Sequence, residues 1–169
     1  MGLMILEREK QAFKADPNLK PDLQGNEYVL ERQLKPEARE DILKVLAGVE
    51  ILPTSMIDIS DGLASDIMHI CKRSNLGCKL YEDKLPINQE VIKIAMDFKI
   101  SSATAALNGG EDYELLFTIA QDDYEKIIDV TGISVIGHMT DKSEGMNLFT
   151  DTGSQIELKA LGWDALKRT

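Results

Sequence analysis

The sequence has little of what usually announces a cofactor or a compartment. It has two cysteines, Cys71 and Cys78, with six residues between them. That spacing suits neither a zinc knuckle nor a redox CxxC pair, so both are read as reduced, ordinary thiols. No apolar run approaches the roughly 20 residues of a membrane span, and the first residues lack the charged flank and cleavage site of a signal peptide. A cytoplasmic location is expected. Positive charge is also short: 19 basic against 29 acidic residues leave a net charge of −10, which repels a polyphosphate backbone and argues against nucleic acid. A phosphate compound would need cations to mediate. GxGxxG, Walker and GxSxG loops and a Cys-His constellation are all absent, as are repeats and low-complexity tracts. His69 and His138 lack partners at metal spacing and are read as core or surface residues.

What is present fits one compact domain with an arm: 169 residues, 43% hydrophobic and 28% charged, enough for a core without staples. GLMILEREKQAFK, from Gly2, has helix formers and apolar residues at Leu3, Leu6 and Phe13, but no N-cap precedes it. Asp16 to Lys35 carries Pro17, Pro21 and Gly25 and reads as an extended connector. Residues 1–35 are therefore set apart from a domain at 36–169. Pro36 suits the first turn of a helix over Lys35–Val49. The spacing then predicts a strand at Ser55–Ile59, a helix from Leu63 to Asn75 stopped at Gly77, and a strand at Cys78–Glu82. Helices follow at Asn88–Phe98 and Ser101–Leu107. A strand at Tyr113–Ile119, a helix at Gln121–Val130, a strand at Ile133–His138 and a hairpin around Thr152-Gly153 complete the order. Alternating helices and strands with adjacent final strands predict an α+β fold, a mixed sheet with helices packed on it.

Two acidic corners stand out. In MIDISDGLASD, Asp58 and Ser60 share one face of a strand whose other face carries Ile57 and Ile59. Asp61-Gly62 then meets the start of a helix, where unpaired amides and the positive dipole end can hold phosphate oxygens. Neighbouring carboxylates can hold the accompanying magnesium. A turn with a simple helix cap explains the same residues, and Asp66 reads as an exposed helix residue. A calcium loop does not fit, because Ile57, Ile59 and Met68 would occupy ligand positions. In NGGEDYELLF, Asn108-Gly109-Gly110 permits unusual backbone, and Glu111, Asp112 and Glu114 crowd like charges that need something positive nearby. Trp163, the only tryptophan, either anchors the tail or stacks on a planar ligand.

MIDISDGLASDIMHICKRSNLG, NGGEDYELLF, ISVIGHMT and the terminal GWD together resemble the C-terminal part of thiamine-monophosphate kinase, within the aminoimidazole ribonucleotide synthetase-like superfamily. The resemblance covers nearly the whole chain. It implies ATP-dependent phosphorylation of thiamine monophosphate to thiamine diphosphate, with magnesium neutralising the phosphate oxygens and a homodimeric parent. By motif position it implies Asp58 and Asp61 as magnesium ligands and Ser60 as an ATP contact. It further implies that Glu111 contacts the thiamine moiety, that Trp163 packs on its rings, and that Gly109, Gly110 and Asp112 shape the substrate corner.

Departures from the family pattern set the limits. Family members are about twice this long and carry most of the ATP site in an N-terminal domain that has no counterpart here, so the isolated chain is expected to be inactive. Asn108 stands where serine is usual, and the ending reads GWDAL instead of GWDHF. The alternative is a non-catalytic module binding a phosphorylated ligand.

Overall fold

The computed structural model describes residues 1–159. Trp163 lies outside the described residues.

Helix α1 (Gly2–Ala15) leads into a second helix, α2 (Glu27–Leu34), where an extended connector is expected. Pro17, Pro21 and Gly25 all precede Glu27, and EYVLERQL contains no breaker. Val29 and Leu30 of α2 are buried with Ile5 of α1 and Ile94 of α5 (Gln89–Asp97). Burying such side chains stabilises each by roughly 1.5–3 kcal/mol, more than propensity alone supplies to an eight-residue helix. Pro36 follows directly and stops α2 instead of opening the next helix, since it biases Lys35 away from the helical region. Helix α3 begins only at Glu40 and runs to Gly48.

Strand β1 (Ser55–Asp58) pairs antiparallel with β3 (Leu115–Thr118) in a two-stranded ribbon apart from the main sheet. The main sheet contains β2 (Leu76–Tyr81), β4 (Gly137–Asp141), β5 (Met146–Phe149) and β6 (Gln155–Glu157), in the order β4-β2-β5-β6. Its β2–β5 pair is parallel and the other two are antiparallel, so the sheet is mixed, in an α+β fold as expected. The final hairpin is also where the sequence puts it.

The ribbon divides two cores. Ile57, Ile59 and Leu116 face the larger one, with Ile67, Cys71, Cys78, Leu80 and Leu148. Leu115 and Phe117 face the smaller one, with Ile42 and Leu46 of α3 and Ile127 of the short helix α7 (Tyr124–Ile127). The strand expected at Ile133–His138 starts instead at Gly137. Ile133 and Val135 pack into the smaller core without a ladder, and Gly137 begins the pairing opposite Leu80. Helix α4 (Leu63–Ser74) stops at Asn75, not Gly77: Asn75 takes the left-handed conformation (φ 57°), which asparagine tolerates. Gly77 belongs to β2, where a side chain would collide with the Gly145 carbonyl. Cys71 and Cys78 are free and buried. No described helix is long and apolar enough to cross a membrane.

Candidate functional site

Strand alternation turns Asp58 and Ser60 outward while Ile57 and Ile59 pack inward, and Asp58, Ser60 and Asp61 are all exposed. Neither the Asp58 nor the Asp61 carboxylate has a hydrogen bond or ion pair to a described side chain. Gly62 then turns the chain into α4 with φ 115° and ψ 146°, a combination open essentially to glycine alone. A Cβ there would sit 3.1 Å from the Leu107 carbonyl oxygen, in α6 (Ser102–Asn108).

Asp66 is not the exposed helix residue expected. It is 1% exposed, and its Oδ2 accepts hydrogen bonds from the backbone N–H of Ser60 (3.0 Å) and of Asp61 (3.3 Å). Burial pushes its carboxyl above the ordinary aspartate value, partly countered by those amides and reinforced by the Asp61 charge. The Ser60 and Asp61 amides, just ahead of the first turn of α4, are therefore already occupied.

The GGEDYE loop folds back on this corner. The Glu111 N–H donates to the Ser60 carbonyl (2.8 Å) and the Tyr113 N–H to the Ile59 carbonyl (2.9 Å), while the Ile59 N–H donates to the Glu114 carbonyl (2.8 Å). Glu111 and Tyr113 adopt left-handed backbone (φ 62° and 55°), which lets both amides reach the same side. Gly110 is required by closeness, because a Cβ would approach the Ser60 carbonyl oxygen to 2.8 Å. Gly109 caps the end of α6 and, like Gly110, Glu111 and Asp112, is exposed. The two acidic corners are thus one backbone unit.

The positive charge that the crowded carboxylates require comes from within the chain. Glu114 bridges Arg32 of α2 (2.6 Å) and Arg39, which also pairs with Asp41 (3.0 Å). Arg32 donates to the Asp112 carbonyl as well (3.0 Å), and Gln33 donates to the Glu111 carboxylate (2.9 Å). Although 52% of the Asp112 side chain is exposed, its carboxyl stands in a recess, and desolvation there raises its pKa against the pull of Arg32. That recess, about 1340 Å³, is lined in part by Tyr28, Arg32, Gln33, Gly110, Glu111 and Asp112. Asp58, Ser60 and Asp61 lie outside its lining. Asn108 donates to the Thr104 carbonyl (3.1 Å), but its buried Oδ1 has no partner among the described residues.

Among the described residues no group of three or more His, Cys, Asp or Glu side chains is arranged to hold a metal. Two free carboxylates still suit magnesium, which commonly takes one or two from protein and completes its shell with phosphate oxygens and water. Sequence reasoning missed Arg32, Gln33 and Arg39, and it misread Asp66. The unmet charge of Glu111, Asp112 and Glu114 is a signal that a cation is close, though it cannot say which.

The family model described as AIR synthase related protein, C-terminal domain, matches residues 2–146 and so includes both corners. Thiamine-monophosphate kinase of Pyrococcus horikoshii is 37% identical over 153 residues, covering 86% of this chain and 44% of that protein. The kinase of the same name from Aquifex aeolicus is 33% identical over 135 residues, covering 80% and 40%. The chain therefore spans under half the length of these relatives. The solved structure of AaThiL complexed with AMPPCP and TMP superposes with a TM-score of 0.73 at 30% identity, covering 98% of this chain and 47% of that one. A match that runs from α1 to β5 in sequence, and through the whole fold in space, means that the chain belongs to the family of AIR synthase related proteins, as their C-terminal domain.

Proposed function

We propose that this chain is the C-terminal part of a thiamine-monophosphate kinase, supplying metal-binding and substrate-binding groups for ATP-dependent phosphorylation of thiamine monophosphate to thiamine diphosphate. The observation that supports this most is the Glu111 N–H bond to the Ser60 carbonyl (2.8 Å), which joins a corner with two free carboxylates to an acidic loop beside a recess. Curated relatives at 33% and 37% identity carry the kinase name, and the AaThiL structure holds AMPPCP and TMP.

On this reading Asp58 and Asp61 hold magnesium and Ser60 contacts ATP. Glu111 faces the cationic thiamine moiety, Gly109, Gly110 and Asp112 shape its corner, and Trp163 packs on its rings. In the reaction an oxygen of the thiamine monophosphate phosphate bonds in line to the terminal phosphorus of ATP. The bond from that phosphorus to the bridging oxygen breaks, and ADP leaves. Magnesium supplies charge neutralisation on the phosphate oxygens. The protein's own part is positioning: Asp66 fixes the backbone that aims the Ser60 and Asp61 side chains, while Arg32 and Arg39 neutralise Glu114, leaving Glu111 and Asp112 toward the recess.

The ATP-binding domain belongs to the rest of a longer, cytoplasmic, homodimeric parent, and the chain alone has no kinase activity. A coupled assay with ATP and thiamine monophosphate tests this, and turnover by the chain alone overturns it. Calorimetry with thiamine monophosphate and magnesium should detect binding; none at all contradicts the substrate reading. The span of under half the relatives' length also favours a second reading, a non-catalytic module that binds a phosphorylated ligand. A reading frame upstream of Met1 that encodes the nucleotide-binding half would favour the kinase.

A further inference from the structure

We infer that Asp66 is the positioning residue of the Ser60-Asp61-Gly62 corner, holding its backbone so that Asp58 and Asp61 face outward toward a divalent cation. The inference rests on the reading of Asp58 and Asp61 as metal ligands. The corner leads straight into the first turn of α4, which begins at Leu63. Here one carboxylate oxygen takes both the Ser60 and the Asp61 N–H. Gly62, Leu63 and Ala64, which follow, are buried.

Occupation of these amides also sets direction. With the Ser60 and Asp61 N–H groups turned inward to Asp66, their side chains stand exposed on the outside, as does Asp58. Gly62 makes this possible, because its φ of 115° folds the chain tightly enough for a carboxylate five and six residues downstream to reach back. The result is a buried negative charge behind two exposed ones, an electrostatic setting for a cation.

Asp66 has no ion pair among the described residues, and an apolar residue would fill the same site in α4 without burying a charge. Burying a carboxylate is costly unless it is well hydrogen-bonded. What this carboxylate obtains is the hydrogen-bonded backbone of Ser60 and Asp61. Groups that orient a metal ligand without touching the metal commonly change affinity about 10- to 100-fold when replaced.

Two variants separate position from charge. Asp66→Asn keeps an oxygen acceptor at the same reach and removes the charge, whereas Asp66→Glu keeps the charge and displaces the oxygen by one methylene. The measurements are hydrogen exchange at the Ser60 and Asp61 amides, and Mn²⁺ binding to the chain, read from paramagnetic broadening at Asp58 and Asp61. In Asp66→Glu both amides should exchange at least about tenfold faster and Mn²⁺ should bind about tenfold more weakly or worse. Asp66→Asn should keep the amides protected and hold Mn²⁺ more tightly than Asp66→Glu does. Equal Mn²⁺ affinity in Asp66→Glu and the parent overturns the role of Asp66, as does an Asp66→Asn chain weaker than Asp66→Glu. Should Asp66→Glu fail to fold, loss of Ser60 and Asp61 protection in a folded Asp66→Asn chain overturns it equally. A parent that binds no Mn²⁺ removes the metal reading of Asp58 and Asp61 along with this inference, whereas a metal-binding parent with an unaffected Asp66→Glu removes only the latter.

Discussion

Glu114→Gln removes the one negative charge that two guanidiniums share. Arg32 meets it at 2.6 Å and Arg39 at its other oxygen, with side-chain exposures of 27% and 22% against 31% for Glu114. Hydrogen bonds to charged groups contribute about 1.5–3 kcal/mol each when well shielded, whereas fully exposed ion pairs contribute about 0–1 kcal/mol. The three side chains lie between these limits, and glutamine still accepts one bond. A loss of about 2 kcal/mol is therefore expected. Urea unfolding followed by circular dichroism reads it as a lower midpoint at unchanged slope. Because much of the contribution is Coulombic, added salt should narrow the gap between parent and variant. A loss below about 0.5 kcal/mol, typical of an inconsequential surface change, would refute the idea that α2 and Arg39 hold the acidic loop by charge.

Other substitutions probe the junction and its surroundings. Gly62→Ala forces a Cβ into a φ of 115° and to 3.1 Å from the Leu107 carbonyl oxygen; a loss of about 2 kcal/mol or more is expected in the same unfolding assay. Asn108→Ser removes a buried oxygen without a described partner, and the serine hydroxyl can take over the bond to the Thr104 carbonyl, so stability should be unchanged or higher by up to about 1 kcal/mol; a clear loss would show that the orphaned oxygen costs less than the amide bond to Thr104 contributes. Lys79 donates to Glu144 at 2.6 Å and holds that carboxyl below the ordinary glutamate range. Such a pair stabilises the fold above the unfolded value of about 4.3, and its contribution is lost as pH falls through the lower folded value. Lys79→Met should return the Glu144 titration, followed by carboxyl carbon NMR, to the ordinary range; an unmoved titration would contradict the pairing.

The parts of the fold that were legible in the sequence are those set by local rules. Ile57 and Ile59 alternate with Asp58 and Ser60, so β1 and its exposed face follow from a period of two. The α4 pattern of Leu63, Ile67, Ile70 and Cys71 follows from a helical stripe, and all four are buried. Partnership across the chain was not legible. Arg32 and Arg39 lie 82 and 75 residues before Glu114 in sequence, and no local pattern says which cation meets a crowded carboxylate. The burial of Asp66 likewise exists only once Gly62 has turned. Helix α2 was obscured by the prolines before it, although Val29 and Leu30 offered an apolar anchor. The start of the strand at Gly137 was misplaced because Ile133 and Val135 pack into the smaller core without pairing.

In the proposed function, Asp58 and Asp61 present metal-bound phosphate to a substrate held beside Glu111. Thiamine monophosphate binding, measured by calorimetry with and without magnesium on the parent and on Asp61→Asn, tests it most directly. Magnesium is expected to strengthen binding by the parent about tenfold or more, and Asp61→Asn to abolish most of this gain. A parent whose binding ignores magnesium, or an Asp61→Asn chain with the parent's full magnesium dependence, would contradict it.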